Sequence, residues 1–448
     1  MNPLSPILPV TARRDAAGHL HAGGCDLVAL AETHGTPLYL YDQATLDHAV
    51  SDYRGALAEH WPGDAEIAYA VKAWFNLAAA QWAASSGLGL DVVSLGEWEI
   101  ARRAGFPPER VHLHGNNKPR SLLHAAIVGG VGSVVVDHEV ELAMIEEVAA
   151  AAGRRQPLWL RLNPAVAADT HHHIETGSAR SKFGLSLSDG TVMRVARAAL
   201  ASPHVELVGL HAHIGSQIAD TAPLVAAVRT LLGFAAELHG ATGWAPRDLS
   251  PGGGWAVPYT PGDPHLTPAE AIAAISRALL DGCQQHGLPL PRLVLEPGRE
   301  LVARAGVALY RVGALKQAAD VHYAFIDGGL ADNPRPALYD ARYTALLANR
   351  DAPQDATYTL AGPFCESGDI LIHEARLPAL QPGDLLAVPV SGAYQLSMAS
   401  NYNAAPRPAV LWLHEGQTAL IQRRETFDDL LSRDLPVFDD LRPTTDDR

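Results

Sequence analysis

A repeated alternation of strand and helix patterns between residues 65 and 300 constrains the fold of this chain most strongly. Short runs rich in β-branched residues alternate with longer Ala-rich segments whose apolar residues recur with the period of an α-helix. Eight runs predict strands at 66–71, 88–93, 110–115, 132–137, 157–163, 206–214, 247–252 and 292–297. Eight parallel strands with intervening helices form a closed (β/α)₈, or TIM-like, barrel. We therefore predict an α/β barrel domain over residues 45–300, with its active site at the carboxyl ends of the strands.

Beyond residue 301 the pattern changes, because strand-like runs follow one another with Gly, Pro and Asp between them. Six runs predict strands at 307–316, 322–329, 356–362, 384–390, 408–414 and 418–422. This succession indicates a C-terminal β-sandwich or β-barrel domain over residues 301–448. The opening segment, residues 1–44, has strand-like runs at 28–30 and 37–42 without a partner in the barrel. We predict that these N-terminal strands join the C-terminal β-domain.

The charge balance and the cysteines bear on partners and location. Asp and Glu number 49 against 34 Lys and Arg, which gives a formal net charge of −15 over 448 residues. This excess of negative charge argues against nucleic acid and anionic membrane surfaces as ligands. Three cysteines without a C-x-x-C pair favour a reducing, cytoplasmic location. We expect no targeting or membrane segment, since the longest quiet apolar run, 121–136, is too short to cross a bilayer.

Polar residues and glycines follow the predicted barrel strands at their carboxyl ends. Lys72 follows the first strand, and a lysine at the edge of a desolvated barrel mouth can act as a Schiff-base nucleophile. Considered alone, such a lysine is more often a surface residue. The second strand leads to Asp91, and the sixth leads to His213 and Ser216. The seventh leads to Gly252, Gly253 and Gly254, and the eighth leads to Glu296, Gly298 and Arg299. These side chains are therefore expected at one barrel mouth.

The combination of these groups indicates a site for pyridoxal 5'-phosphate. Three consecutive glycines let backbone N–H groups close around an anion, and phosphate sites commonly follow strands seven and eight of such barrels. Considered alone, the glycines are equally typical of a flexible turn. Lys72 would bind the cofactor covalently, Arg299 would lie on the phosphate side, and Glu296 would hold the pyridine nitrogen protonated.

Ten short motifs in this order resemble the diaminopimelate decarboxylases, pyridoxal-phosphate enzymes of the alanine-racemase-like fold group. The motifs are YAVKAWFN, GLDVVSLGEWE, HGNNKP, TGSARSKFGL, HAHIGSQ, GGGW, LEPGREL, DNPRPALY, FCESGD and SGAYQLSMASNYN. The resemblance runs from residue 37 to residue 431. Each motif alone is weak, but ten in the right order are specific. The resemblance implies a barrel, a β-domain and a homodimer with active sites shared between the subunits.

The resemblance also implies roles for individual residues. For the cofactor it implies Lys72 as the covalent attachment, His213 stacked on the ring and Glu296 at the pyridine nitrogen. It places Gly252, Gly253, Gly254 and Tyr394 near the phosphate. We add four cofactor contacts from their positions at the strand ends: Asp91, Ser216, Gly298 and Arg299. For the substrate it implies Arg299, Arg335, Tyr339 and Tyr394, with Glu366 on the distal amine. Cys365 would reprotonate Cα, and Cys365 and Glu366 would come from the partner subunit.

Substrate chemistry supports part of this assignment independently. Diaminopimelate carries an amino-acid head at each end, so the end that does not react needs donors for a carboxylate and an acceptor for an ammonium. Arginine is suited to bidentate carboxylate binding. In the related ornithine and lysine decarboxylases the residue after the cysteine is usually Asp, whereas here it is Glu366. Arg335 and Glu366 together favour decarboxylation of meso-2,6-diaminopimelate to L-lysine.

Several alternatives remain open at this stage. Trp74 and Phe75 put extra bulk after Lys72, which leaves open another carboxylated amine or amino acid of polyamine, siderophore or antibiotic synthesis. A catalytically inactive pyridoxal-phosphate-binding regulator would keep the same fold. Taken singly, Arg335 could form a surface ion pair and Cys365 could be an inert buried thiol. We assign no metal to the three histidines at 171–173, because contiguous histidines cannot all point one way.

Overall fold

The computed structural model of the chain describes residue 4 and residues 6–165 and 181–435. The N-terminal segment begins with a small antiparallel sheet of β1 (Arg13–Arg14), β2 (Leu20–Ala22) and β3 (Cys25–Asp26). Helix α1 (Leu27–His34) and strand β4 (Leu38–Asp42) follow. The strand predicted at 28–30 is therefore wrong. A helix forms there because the Asp26 carboxylate accepts a hydrogen bond from the Val28 N–H at 2.8 Å and caps its first turn.

Eight parallel strands close into the predicted barrel. They are β5 (Ala65–Ala70), β6 (Gly89–Val92), β7 (Val111–Leu113), β8 (Ser133–Val136), β9 (Gln156–Asn163), β11 (Val205–His211), β12 (Asp248–Gly252) and β13 (Arg292–Leu295). Each pairs with the next, and β13 pairs with β5 through Leu293 and Ala65, which closes the ring. A two-residue strand, β10 (Leu185–Ser186), adds to the end of β9. The fold-class prediction is confirmed, and the predicted strands match within a few residues.

The barrel interior is filled by side chains. Ala68, Val135, Trp159, Val208 and Val294 form a separate buried cluster contributed by five different strands. A Cβ at Gly209 would lie 2.6 Å from Cδ1 of Trp159, so only glycine leaves room for this indole. The indole N–H of Trp159 donates to Asp248 at 3.2 Å, which satisfies its one polar atom. The filled interior confines ligand space to the mouth of the barrel.

Helices cover the outside of the barrel. They are α2 (Gln43–His60), α3 (Leu77–Ser85), α4 (Leu95–Arg103), α5 (Arg120–Gly129), α6 (Glu139–Ala151), α7 (Thr191–Ala201), α8 (Ala222–Thr242), α9 (Pro268–His286) and the short α10 (Arg299–Val302). Among the described residues, α8 alone is long and apolar enough to cross a membrane by length and composition, with a mean hydropathy of 1.3. Its inward side chains are buried, and it packs against α9 and β12.

A second, mostly antiparallel sheet follows the barrel. Its strands are β14 (Gly306–Ala318), β15 (Val321–Ile326), β16 (Leu346–Leu347), β17 (Ala356–Ala361), β18 (Ile370–Leu377), β19 (Leu385–Pro389), β20 (Ala409–His414) and β21 (Gln417–Gln422), with helices α11 (Arg335–Tyr339) and α12 (Phe427–Leu431). N-terminal β4 lies between β14 and β20, antiparallel to the first and parallel to the second. The predicted insertion of an N-terminal strand is confirmed for β4. The domain boundaries near residues 45 and 301 stay predictions.

Candidate active site

A cavity of about 380 Å³ lies at the carboxyl ends of the barrel strands. Its lining includes residues that the sequence analysis assigned to the barrel mouth: Lys72, Asp91, His213, Ser216, Gly254, Glu296, Gly298, Arg299 and Tyr394. The first, second, sixth, seventh and eighth strands or the loops after them contribute all of these except Tyr394, which follows β19. The strand ends therefore meet as expected for a parallel barrel.

Lys72 lies in a single 3₁₀ turn, Val71–Ala73, directly after β5. Its side chain is exposed and points into the cavity. The carbonyl of Ala73 accepts hydrogen bonds from the Tyr394 N–H at 2.7 Å and from the Ser397 hydroxyl at 2.8 Å. Tyr394 has a left-handed φ of 63°, a strained conformation for a bulky residue. The segment after β19 therefore fixes the lysine turn.

Glu296 forms a buried acid at the base of the cavity. One of its oxygens accepts the Ser250 hydroxyl at 2.6 Å, and the other lies 3.0 Å from Nε2 of His211. Burial opposes ionisation, but His211 and His114 together with the Ser250 hydroxyl hold the pKa of Glu296 well below its ordinary value. The side chain is therefore an ionised acceptor at neutral pH.

Asp91 is a second buried carboxylate beside Glu296. Burial, with Glu296 as the next contribution, raises the pKa of Asp91 well above its ordinary value. Its Oδ1 lies 3.4 Å from Nε2 of His114, but neither of its side-chain oxygens has a hydrogen-bond partner among the described residues, and the same is true of Nδ1 of His211. Buried polar atoms without partners mark space that a polar ligand fills.

His213 presents a neutral ring to the same cavity. Burial, followed by the nearby Lys72 ammonium, lowers the pKa of His213 well below its ordinary value. An uncharged imidazole is a flat, polarisable surface, which suits stacking against another ring.

Of the three predicted glycines, Gly254 alone lines the cavity. A Cβ at Gly253 would lie 2.2 Å from the carbonyl oxygen of Glu296, and a Cβ at Gly252 would lie 2.7 Å from Nδ1 of His213. Gly252 and Gly253 do not line this cavity, and their contact with the cofactor stays a prediction. Gly252 and Gly253 are needed for the close approach of neighbouring strand ends, and Gly254, with a φ of +92°, presents its backbone to the cavity.

A second cavity of about 500 Å³ adjoins the first. Lys72, His213, Ser216, Arg299 and Tyr394 line both. The second cavity adds the predicted residues Arg335 and Tyr339, and also Gln217, Tyr259 and Arg342. A ligand in one space can therefore contact a ligand in the other.

Two buried guanidinium groups meet around Tyr259. The Tyr259 hydroxyl accepts a hydrogen bond from Arg299, and its ring centroid lies 4.9 Å from Cζ of Arg335. Arg335 donates to the Tyr343 hydroxyl at 2.5 Å. Burial raises the pKa of Tyr259, but Arg299 and Arg335 outweigh it and lower the pKa below its ordinary value. Arg335 is 6% exposed, so it is not a surface ion-pair residue.

Neither Arg299 nor Arg335 forms a salt bridge within the part of the chain that the structure describes. Tyrosine hydroxyls and aromatic faces hold both cations instead. A buried charge without a counter-ion is costly, so this pair is arranged for an anion from outside the chain. Tyr259 and Tyr343 were missed by the sequence analysis, because neither follows a strand end directly.

Cys365 and Glu366 are exposed, and neither lines either cavity. The reading of Cys365 as a buried thiol is therefore wrong. The loop that carries them is ordered by buried Asp369, whose carboxylate accepts the Phe364 and Leu330 N–H groups at 2.8 and 2.6 Å.

One further expectation changes, and two lining residues were not predicted. Trp74 is 2% exposed and stacks on Tyr41 with 3.6 Å between ring centroids, and neither Trp74 nor Phe75 lines the cavities, so they add no bulk there. Lys182, which was not among the predicted site residues, lines the first cavity. Glu300, also missed, lines it and accepts hydrogen bonds from the backbone of Gly254 and Gly298. The histidines at 171–173 lie outside the described residues.

The fold and the strand-end site define the class of pyridoxal-dependent decarboxylases, whose pyridoxal-binding-domain family model matches residues 44–303. The diaminopimelate decarboxylase of Bacillus subtilis (strain 168) is 43% identical over 428 residues, 95% of this chain and 97% of that relative. The chain belongs to the diaminopimelate decarboxylase family. The resemblance predicted from the ten motifs is confirmed.

Solved structures agree with this membership. The diaminopimelate decarboxylase of M. jannaschii in co-complex with L-lysine has a TM-score of 0.90 at 33% identity, covering 96% of this chain and 98% of that one. The lysine/ornithine decarboxylase of Vibrio vulnificus complexed with putrescine has a TM-score of 0.74 at 24% identity, covering 87% and 97% of the two chains. The second comparison shows the shared fold alone.

The residues of the first cavity fit pyridoxal phosphate. An ionised acid at its base suits a pyridinium, the unpartnered oxygens of Asp91 suit polar ring substituents, and Lys72 is free to reach an aldehyde. Ser216, Arg299 and the Gly254 backbone lie together where a phosphate would bind. The cofactor prediction stands with the family assignment.

Proposed function

We propose that this chain decarboxylates meso-2,6-diaminopimelate to L-lysine and CO₂. The observation that carries the proposal is buried Arg335, which has no salt-bridge partner among the described residues and lines a cavity that shares Lys72 with the cofactor cavity. A substrate with a second carboxylate supplies the missing anion, whereas ornithine and lysine do not. The L-lysine in the co-complex of the M. jannaschii relative has the structure that diaminopimelate leaves after losing one carboxyl group.

The roles of the cofactor residues follow from their environment. Lys72 would bind the cofactor covalently, and the Glu296 carboxylate would accept a hydrogen bond from the protonated pyridine nitrogen. His213, which lines the cavity, would stack on the ring, while Ser216, Gly254, Gly298, Arg299 and Tyr394 would hold the phosphate. When bound, the cofactor withdraws the electrons that the departing carboxyl group leaves at Cα.

The substrate residues hold the end that does not react. Arg335, assisted by Tyr339 and Arg299, binds the distal carboxylate, because a bidentate guanidinium matches its geometry. Glu366 accepts the distal ammonium. Cys365 then delivers a proton to Cα of the product.

Cys365 and Glu366 act in this scheme from the partner subunit of a homodimer. The proposal is supported by their exposure on the single chain and by their position outside both of its cavities. A two-fold axis places the same loop of each chain at the other's site. Two equivalent sites per dimer result, in a cytoplasmic enzyme.

The substrate assignment is tested by CO₂ release from diaminopimelate, lysine, ornithine and arginine. We expect diaminopimelate to be preferred. Arg335→Ala should lower kcat/KM for diaminopimelate by a factor that corresponds to a loss of about 2 to 5 kcal/mol in transition-state stabilisation. Lysine turnover should change much less, because lysine lacks the distal carboxylate.

Arg342→Ala is the matched control. Arg342 lines the same cavity but is exposed and already paired with Asp263 at 3.1 Å, so its loss should leave the preference intact. Equal losses on diaminopimelate and lysine in Arg335→Ala, or preference for a substrate with one carboxylate, would contradict the assignment.

A further inference from the structure

Three backbone N–H groups converge on one carboxylate, that of Glu300, and two of them belong to Gly254 and Gly298, which line the first cavity. One oxygen accepts the N–H of Gly254 at 2.9 Å and that of Trp255 at 2.6 Å. The other oxygen accepts the N–H of Gly298 at 3.1 Å. These donors belong to the loops after the seventh and eighth strands, where such barrels commonly bind phosphate.

Two further donors lie near these N–H groups, and the whole set suits an anion larger than a carboxylate. The Ser216 hydroxyl and the Arg299 guanidinium lie on the same cavity and contact each other at 3.2 Å. Arg299 is 6% exposed, and its Nε has no partner within the described chain. A phosphate has oxygens enough for the N–H groups, the hydroxyl and the guanidinium together. Two anions cannot share the three N–H donors, because like charges in contact repel strongly.

Space for the displaced side chain lies directly behind the loop. A cavity of about 260 Å³ is lined by Glu300, Tyr53, Trp255, His48 and Arg304, among others. The Tyr53 hydroxyl and the Trp255 indole N–H are buried there without a hydrogen-bond partner among the described residues. A carboxylate turned away from the cofactor cavity meets two unused donors there, in a lining that also holds Asp52, whose carboxylate lies 3.6 Å from Nε2 of His48.

We propose that Glu300 is an internal anion that occupies the phosphate donors of the cofactor-free chain and turns into the rear cavity when the cofactor phosphate binds. Glu300 holds the two loops in their binding conformation, and it lowers the affinity for phosphate by competing for the same N–H groups. The inference rests on the proposed cofactor site around Lys72.

The competition is tested by binding to the cofactor-free chain, prepared with hydroxylamine and dialysis. Pyridoxal phosphate and pyridoxal both react with a lysine amine, but pyridoxal has no phosphate to compete with Glu300. In Glu300→Gln and Glu300→Ala we expect Kd for pyridoxal phosphate to fall about tenfold and Kd for pyridoxal to stay within about twofold. Glu270→Gln is the control, because Glu270 also accepts a backbone N–H, from Thr267, but lies outside the cavities.

Thermal unfolding gives a second readout. Without cofactor, Glu300→Ala should melt below the wild type, because three N–H groups lose their acceptor, and inorganic phosphate should raise its midpoint more than that of the wild type. An unchanged ratio of the two Kd values, or weaker pyridoxal phosphate binding in both variants, would show that Glu300 keeps its hydrogen bonds beside the phosphate and would overturn the inference. Failure of the wild type to bind either compound would instead overturn the Lys72 site and, with it, the role of Glu300.

Discussion

The proposed activity depends first on Lys72 as the residue that attaches the cofactor. Its side chain lines both cavities, whereas Lys118 is buried in an ion pair with Glu141 at 2.9 Å. Lys182 is the competitor that geometry allows, since it lines the first cavity. An experiment that distinguishes Lys72 from Lys182 therefore decides which lysine attaches the cofactor.

We predict that Lys72→Ala loses the visible absorbance of the bound cofactor and nearly all turnover, because covalent attachment is lost. Borohydride reduction followed by mass spectrometry should find pyridoxyl on the peptide that contains Lys72. Lys182→Ala is the matched control and should keep that label. A pyridoxyl group on Lys182 in the wild type would refute the assignment.

Cys365 is expected to act after CO₂ leaves, as the donor of a proton to Cα. We predict that Cys365→Ala slows lysine formation and raises the fraction of turnovers that end in transamination, because protonation then occurs at the wrong atom. The measurement is the ratio of lysine to pyridoxamine phosphate per CO₂ released.

The control for this variant is Cys283→Ala, which removes a buried thiol in α9, away from the cavities. It should cost about 1 kcal/mol of stability and leave the product ratio unchanged. A normal ratio in Cys365→Ala would remove Cys365 from the chemistry.

Part of the candidate site could be predicted from the sequence, and the rest could not. Lys72, His213 and Glu296 could be predicted because they follow strands, and parallel strands bring their ends together whatever the loops do. Tyr259 and Glu300 could not, because their contacts with Arg299 and Gly254 depend on how two loops fold back over the barrel mouth. No local pattern encodes such a convergence.

The errors in the predicted helices and strands have local causes. The apolar run at 28–30 is compatible with either strand or helix, and the Asp26 cap decides for α1. Strand β18 was missed because His373, Glu374 and Arg376 interrupt its apolar pattern, although it pairs with β17 along most of its length. Tertiary pairing overrides the weak local signal there.

The Glu66 side chain of β5 links strands of the closed barrel. Its carboxylate lies 2.8 Å from Arg292 of β13 and 3.1 Å from His112 of β7, so one side chain joins three strands. Burial raises the pKa of Glu66, but His112 and Arg292 outweigh it and lower the pKa below its ordinary value. Folding therefore favours the ionised form.

We predict that Glu66→Gln lowers the free energy of unfolding by about 2 kcal/mol at pH 7, because a half-buried Arg and a buried His lose their negatively charged partner. The contribution of Glu66 is fully present above its unfolded pKa of about 4.5 and is lost as the pH falls through the lower folded value. The difference between variant and wild type should therefore shrink on acidification, as measured by urea unfolding at each pH.

Glu206→Gln is the control for this comparison, because Glu206 forms an exposed pair with Arg247 at 3.8 Å and should contribute little. A difference between Glu66→Gln and wild type that is independent of pH would contradict the charge-based explanation.

In the whole molecule, the residues proposed to bind the cofactor and the distal carboxylate line cavities of one chain, whereas Cys365 and Glu366 lie outside these cavities. In the proposed dimer, each subunit would contribute its 363–369 loop to the site of the other, which would bring these residues together. Subunits with different defects should then complement each other.

The most direct test of the account is CO₂ release from diaminopimelate by an equal mixture of Lys72→Ala and Glu366→Ala chains after subunit exchange. Half of the dimers are then mixed, and each mixed dimer has one complete site, so we predict recovery of about one quarter of the wild-type rate. Either variant alone should stay nearly inactive. No recovery, with exchange verified by mass spectrometry of differently tagged chains, would contradict the shared diaminopimelate decarboxylase site.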